Sequence, residues 1–453
     1  MPTISSTAVS QSLYSDYVNP QWVALLNLLD MNVRYERCLG AELFTADGRR
    51  ILDFLSGYCV HNAGHNHPYI IEALKSELDQ LGPVMLQSHI SDLAGQLGKR
   101  LCDLAGGGLK KAFFCSSGSE GVEAAIKFAR MRTGRAGLLC VNNGFHGLTA
   151  GALSLMSDPF WREGFGPLLP DSVAVPFGDL EALEKQLRSK RFAAFIVEPV
   201  QAEAGIKIPP TGYLQAAESL CRRTGTLFVL DEVQTGMFRT GPFLAAHHYE
   251  VKPDIVVLAK ALSGGLVPVG ATLVTDAVYK GVYSSMRRAI VHTSTFSENS
   301  LSMRAGLATL DVLEMESLGQ RATELGSELR HRLQEELAPF EMVKQVRGLG
   351  MLSGIEFAPP TKLTLKIPFE VFAKIHPAMF GQVLVMRMFH DKGILTQICG
   401  NNFMVLKMAP PLVVSRAELN EFVAAVYDVV ELMHTSASFW TEAIGLAKRA
   451  VNI

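Results

Sequence analysis

Pro253-Asp254-Ile255-Val256-Val257-Leu258-Ala259-Lys260-Ala261-Leu262-Ser263-Gly264-Gly265 carries one lysine from the end of an apolar run into a turn of small residues. Ile255 to Ala259, bounded by Pro253 and Gly264-Gly265, has the length of a buried strand. An ammonium group entering a largely dry site loses hydration, so its pKa falls and the free amine becomes available to attack a carbonyl. Lys260 is therefore placed as a Schiff-base lysine. An isolated Ala-Lys dipeptide is more often a surface lysine just past a strand, so this expectation rests on the company Lys260 keeps.

Upstream, Thr226-Leu227-Phe228-Val229-Leu230-Asp231-Glu232-Val233-Gln234-Thr235-Gly236 forms a second apolar strand, ending on a carboxylate. In open parallel sheets the ligand crevice lies outside the carboxyl ends of the strands, so Asp231 and Lys260 would face one crevice. A pyridoxal phosphate site needs this pair: an amine to hold the cofactor and an anion to keep its ring nitrogen protonated. Without Lys260, Asp231 would equally suit a magnesium ligand or a helix cap.

A third stretch, Phe113-Phe114-Cys115-Ser116-Ser117-Gly118-Ser119-Glu120-Gly121-Val122-Glu123-Ala124-Ala125-Ile126-Lys127, passes from strand through a Ser/Gly turn into a helix. Backbone N–H groups at a helix start, flanked by small residues, make a phosphate cradle. Ser117 and Glu120 also have the spacing of an ordinary capping box. The turn matches neither G-x-G-x-x-G nor G-x-x-x-x-G-K-[ST], which argues against a dinucleotide or a nucleoside triphosphate.

With these stretches the chain resembles the class III pyridoxal-phosphate aminotransferases, the group of ornithine, acetylornithine, putrescine and 4-aminobutyrate aminotransferases. The resemblance runs over nearly the whole chain. It includes Phe54-Leu55-Ser56-Gly57-Tyr58, Gly64-His65-Asn66-His67-Pro68, Gly144-Phe145-His146-Gly147, Glu198-Pro199-Val200-Gln201-Ala202-Glu203, His292-Thr293-Ser294-Thr295-Phe296, Arg347-Gly348-Leu349-Gly350 and Ala409-Pro410-Pro411-Leu412. It implies the α/β fold type I of pyridoxal-phosphate transferases, a large domain around a mostly parallel sheet with a smaller α+β domain.

The family's roles carry over residue by residue. Gly118 and Ser119, with Ser117, would hold the phosphate. Phe145 would stack on one face of the ring and Val233 pack on the other, with Gln234 near the ring hydroxyl and Asp231 under the pyridine nitrogen. His146 and Glu198 join the cofactor-binding set. Lys260 would hold the cofactor and move the proton, and Tyr58, Glu203 and Lys407 would face the substrate. Thr295 would reach the phosphate of a neighbouring subunit, which implies a homodimer. The resemblance implies an amine donor (an ω-amine, a diamine or an ornithine-like amino acid) and a keto acid or aldehyde acceptor, in two half-reactions. An aminomutase of the same fold and a non-catalytic protein on the same scaffold are the alternatives.

Three departures bear on specificity. Where relatives carry a carboxylate-clamping arginine before Ala-Pro-Pro-Leu, this chain has Lys407, which keeps the charge but loses the planar fork. A Glu203–Lys407 pair is expected, and arginine at 407 should favour a carboxylate-bearing substrate unless Glu203 closes the site. Ser297-Glu298-Asn299 stands for Gly-Gly-Asn, and Ala202 for a glycine. Met379, Phe380, Met386, Met388 and Phe389 suggest a core stripe or an apolar substrate channel.

A chain of 453 residues, 48% hydrophobic, is long enough for more than one domain. Strand and helix alternation places the large domain at 68–313, with an N-terminal segment at 1–67 packing with a C-terminal domain at 314–453. A net charge of -2 offers no basic field for nucleic acid or an anionic membrane. Seven cysteines without a C-x-x-C pair suit a reducing compartment. The Ser/Thr-rich start has neither a basic head nor an apolar block, so a cytoplasmic location is expected. His61, His65 and His67 are close in sequence, but Cys59 is the only nearby sulfur and no metal site is expected.

Overall fold

The computed structural model describes residues 13–86 and 88–451; most of the Ser/Thr-rich start lies outside them. Fifteen strands, β1 to β15 in chain order, form three sheets among the described residues. The central one has the order β4 (Leu109–Cys115), β10 (Gly270–Thr275), β9 (Ile255–Leu258), β8 (Leu227–Asp231), β7 (Phe192–Val197), β5 (Gly137–Val141), β6 (Ser172–Val175). β10 runs antiparallel to both its neighbours, and the remaining pairings are parallel.

Strands β5, β7 and β9 are buried along their whole length, as parallel strands covered on both faces must be. Alternation sorts their side chains. Leu138, Ile196, Val229 and Val257 pack with Val122, Ala125, Ile126 and Ala129 of the helix Gly118–Thr133 on one face. Leu139, Phe195, Leu230 and Leu258 face the opposite way, with Leu97, Leu214 and Ala217 of the helices Asp92–Ala105 and Tyr213–Thr224. The apolar runs Ala112–Cys115, Gly137–Val141, Ala193–Val197, Leu227–Leu230, Ile255–Leu258 and Ala271–Val274 predict six of the seven strands. They do not predict the edge strand β6, because four residues, three of them only partly buried, after a Gly/Pro-rich loop give too short a signal.

A four-stranded antiparallel sheet lies in the C-terminal part, in the order β11 (Val343–Leu349), β12 (Leu352–Phe357), β15 (Asn402–Met408), β14 (Gln397–Cys399). The charged amphipathic pattern over Leu318–Leu337 predicts the helix that spans those residues, and the late helical pattern at Arg416–Met433 is a helix over Arg416–Thr435. The third sheet joins distant segments: β1 (Tyr35–Leu39), β2 (Glu42–Thr45) and β3 (Arg50–Asp53) are completed by β13 (Ile394–Leu395), parallel to β3. Met379, Phe380, Met386, Met388 and Phe389 are all buried in or beside the helix Phe380–Lys392. They are core and line no channel. No helix of the described residues is long and apolar enough to cross a membrane.

Candidate active site

The carboxyl ends of β4, β5, β7, β8 and β9 open on one cavity of about 480 Å³. Ten of the expected residues line it: Ser117, Gly118, Ser119, Phe145, His146, Glu198, Asp231, Val233, Gln234 and Lys260. Their convergence follows from strand order, since a parallel sheet turns every strand end toward the same edge.

Lys260 opens a short 3-10 turn, Lys260–Ser263, with φ of 47°. A left-handed conformation costs a non-glycine residue about 1–2 kcal/mol, and such strain clusters where geometry serves a site. Burial pushes the Lys260 ammonium below its ordinary pKa against the pull of Asp231, so more of it is free amine.

Asp231 ends β8, buried, with Oδ2 2.8 Å from His146 Nδ1 and Oδ1 accepting from the Val233 N–H at 3.1 Å. Burial works against a charged His146, yet the hydrogen bond and charge of Asp231 hold its pKa above the ordinary value. Its other ring nitrogen is buried without a protein partner among the described residues. Burial pushes Glu198 up to about 7, although it accepts from the N–H groups of Phe145 at 2.9 Å and Ala202 at 3.2 Å.

At the start of the helix Gly118–Thr133, the Ser117 hydroxyl accepts from the Glu120 N–H at 3.2 Å, while Glu120 accepts from the Ser116 N–H at 2.6 Å. The first-turn N–H groups of Gly118 and Ser119 have no acceptor inside the helix, so an anion can take them. A Cβ on Gly118 would sit 3.0 Å from Val233 Cγ2, so only glycine lets the cradle and the Val233 wall approach this closely.

The three residues expected on the substrate side form a group behind Gln234. Lys407, fully buried, donates to Glu203 and, at 3.0 Å, to Gln234 Oε1; Gln234 Nε2 donates to Glu203 Oε1 at 3.0 Å. Glu203 Oε2 accepts from the Gly400 N–H at 2.9 Å, and Lys407 Nζ stands 5.1 Å from the centre of the Tyr58 ring. Burial works against both charges, but each partner holds the other ionised: Glu203 below, Lys407 above, its ordinary range. The expected Glu203–Lys407 pair is present. Thr295 is exposed on its own chain and lies outside this cavity. Asn299, beside the departed glycines, caps the helix Ser300–Met315 by accepting from the Ser302 N–H at 2.9 Å.

Sequence reasoning missed the support of Tyr58. Ser56, Gly57, Tyr58 and Cys59 all have positive φ, between 47° and 69°, a left-handed turn that three non-glycine residues resist. Asp53 Oδ1 accepts from the N–H groups of Leu55 and Ser56 at 2.8 Å each, and Ser56 Oγ donates to Ala409 O at 2.6 Å. Buried Arg239 donates to Ser56 Oγ, Asn62 Oδ1, Pro410 O and Met351 O. Only its place three residues after Gly236 hinted at such proximity. Arg239→Lys, a single point charge for four acceptors, should cost about 2 kcal/mol of stability by urea denaturation. An unchanged midpoint would remove Arg239 as the clamp of this turn. His65 bonds Asp53 Oδ2 at 2.7 Å and stacks on His61, while His67 faces Glu316.

The class-III aminotransferase family model matches residues 27–430, and the chain belongs to that family. Membership makes it an enzyme of the transaminase type with pyridoxal 5'-phosphate as cofactor. The putrescine aminotransferase of Pectobacterium atrosepticum is 35% identical, over 93% of this chain and 88% of its own length. Aminotransferase PigE of a Serratia species is also 35% identical over 93% of this chain, which spans 53% of that longer protein. The crystal structure of ornithine aminotransferase from Toxoplasma gondii superposes with a TM-score of 0.84 at 28% identity, covering 95% of this chain and 96% of that one. The cavity fits the cofactor: an open helix start for the phosphate, a buried carboxylate for the ring nitrogen, and a desolvated lysine.

Proposed function

We propose that this chain moves an amino group from an ω-amine, diamine or ornithine-like donor to a keto acid or aldehyde. The observation that carries this is the meeting of Lys260, Asp231 and the Gly118–Ser119 helix start in one cavity; the putrescine and ornithine enzymes among its relatives support the donor class. Pyridoxal phosphate, when bound, supplies a carbonyl carbon for amine capture and a ring that draws electrons from the adjoining carbon. The N–H groups of Gly118 and Ser119 anchor its phosphate, and Phe145 and Val233 wall the ring from water. Asp231, steadied by His146, holds the proton at the ring nitrogen. Lys260 Nζ takes the proton from the carbon that bears the incoming amine and returns it across the site.

Thr295 serves the phosphate of a second copy, which makes the active unit a homodimer, and the enzyme works in the cytoplasm on small molecules. The pairing of β3 with β13 supports grouping residues 1–67 with 314–453, around a cofactor-binding domain at 68–313. A half-reaction screen tests the function: loss of the visible cofactor band is followed against diamines, ω-amino acids and α-amino acids. No bleaching by any amine would sink the proposal.

Acidity supplies a further test. Glu198 rises from 4.5 to about 7 and His146 is also raised. A raised folded-state pKa means that the native protein binds more protons, so this stability is present at low pH and lost as pH rises through the folded values. Between about pH 4.5 and 7 the Glu198 contribution should fall by a few kcal/mol. Glu198→Gln should flatten this part of the melting temperature's pH dependence; an unaltered slope would refute the assignment.

A further inference from the structure

We propose that Glu232 is a positioning residue for the cofactor ring: it clamps the turn at 233–236 to the 3-10 turn Ala245–Tyr249 and thereby fixes how far Val233 stands from the Gly118 phosphate cradle. This rests on the transaminase function proposed above, and it gives Glu232 no contact with cofactor or substrate. Asp231 and Val233 line the cavity, whereas Glu232, between them, stands outside it.

The buried Glu232 carboxylate gathers three donors from two segments. Oε2 accepts from the Thr235 hydroxyl and from the Ala245 N–H at 3.0 Å, and Oε1 accepts from the Ala246 N–H at 2.7 Å. Burial pushes its pKa up to about 7 and neighbouring Asp231 pushes the same way, while the three hydrogen bonds pull it down. An acid is costly to bury, and a small apolar residue would end the strand without that cost. What glutamate adds is a set of directed bonds across the thirteen and fourteen positions that separate it from Ala245 and Ala246.

The main chain completes the clamp. The Glu232 N–H donates to Val257 O at 3.0 Å, which ties the turn to β9, the strand that delivers Lys260, and the Gly236 N–H donates to Glu232 O at 2.9 Å. A Cβ on Gly236 would lie 2.8 Å from Leu258 Cδ2, so the turn is wedged on β9 without slack. On the cavity side, a Cβ on Gly118 would lie 3.0 and 3.1 Å from the two Val233 methyls. Truncating Glu232 leaves a hydroxyl and two N–H groups buried without their acceptor, each a penalty that the turn escapes only by moving. Val233 then moves with it, and the gap between ring wall and cradle changes.

The test compares the native full chain with Glu232→Ala and Glu232→Gln. The amide of Glu232→Gln keeps an acceptor for the Ala246 N–H and can donate to the Thr235 hydroxyl, so it should rescue most of what Glu232→Ala loses. Titration of pyridoxal phosphate into the apoprotein is expected to show affinity about 10-fold weaker in Glu232→Ala and within about threefold of native in Glu232→Gln. Visible circular dichroism of the bound cofactor, which reports how firmly the ring is held, should fall by about half or more in Glu232→Ala. With an amine that bleaches the native enzyme, the saturating rate should drop roughly 10- to 100-fold in that variant, while the half-saturating amine concentration stays within about twofold. A purely architectural role would lower the melting temperature and leave the cofactor's dichroism and the saturating rate as in the native chain; that result overturns the inference, as does a loss confined to the amine concentration dependence. If amines bleach the native enzyme and Glu232→Ala alike, only this inference fails. If no amine bleaches the native chain, the proposed function fails, and native cofactor affinity and dichroism in Glu232→Ala would overturn this inference separately. Should Glu232→Ala not fold, Thr235→Val removes one donor; weaker cofactor binding and dichroism there support the clamp, and native values overturn it.

Discussion

Lys260→Ala is expected to lower transamination by at least about 10⁴-fold, the upper end of what a positioned acid–base group contributes, because one side chain both captures the cofactor and moves the proton. Among the described residues no other amine lines the cavity: His146 is held by Asp231, and Lys407, outside the lining, is buried in its own ion pair. The phosphate cradle is built from backbone on a different strand and helix, so cofactor should still bind through Gly118 and Ser119. Borohydride treatment followed by mass spectrometry separates the two functions. The native chain should retain the cofactor covalently, whereas the variant should release it on denaturation. Full activity in the variant would end the assignment of Lys260.

Asp231→Asn should leave the fold intact and slow the amine half-reaction by up to about 10³-fold. An opposite charge within a few ångströms shifts a pKa by about 1–3 units, and this is what a neutral amide no longer gives the ring nitrogen. The amide oxygen of the substituted side chain could still accept from His146 or from the Val233 N–H, so the geometry is preserved while the charge is lost. Stopped-flow loss of the visible band with a fixed amine reads the step directly. A rate equal to that of the native enzyme would show that Asp231 does not hold that proton.

Much of this was legible in the chain because its signals are local. Apolar runs ending in Asp231, Lys260 and Cys115 announce buried strands, and a parallel sheet leaves one edge for their ends to share. The turn at Ser117-Gly118-Ser119 and the helix after it follow from residue type alone. Periodicity also placed the helix Leu318–Leu337 correctly, since a 3.6-residue pattern needs no partner to be recognised.

What only tertiary structure decided depends on residues far apart in sequence. Glu203 and Lys407 are 204 positions apart, and the expectation that they pair could not tell whether the ammonium would face substrate or be enclosed. Its bonds to Glu203 and Gln234 and its place beside the Tyr58 ring enclose it. Arg239 reaches residues 112 to 183 positions away, and no local pattern reports that four acceptors will gather round it. Nor could the left-handed turn at Ser56–Cys59 be foreseen from a stretch with a single glycine, since its backbone is tolerated only because Asp53, Ala409 and Arg239 hold it. The amino-acid order determined which chemistry the cavity contains, through side-chain type and strand ends. Long-range packing determined which charges remain free to use, because desolvation and pairing depend on three-dimensional neighbours and not on spacing along the chain.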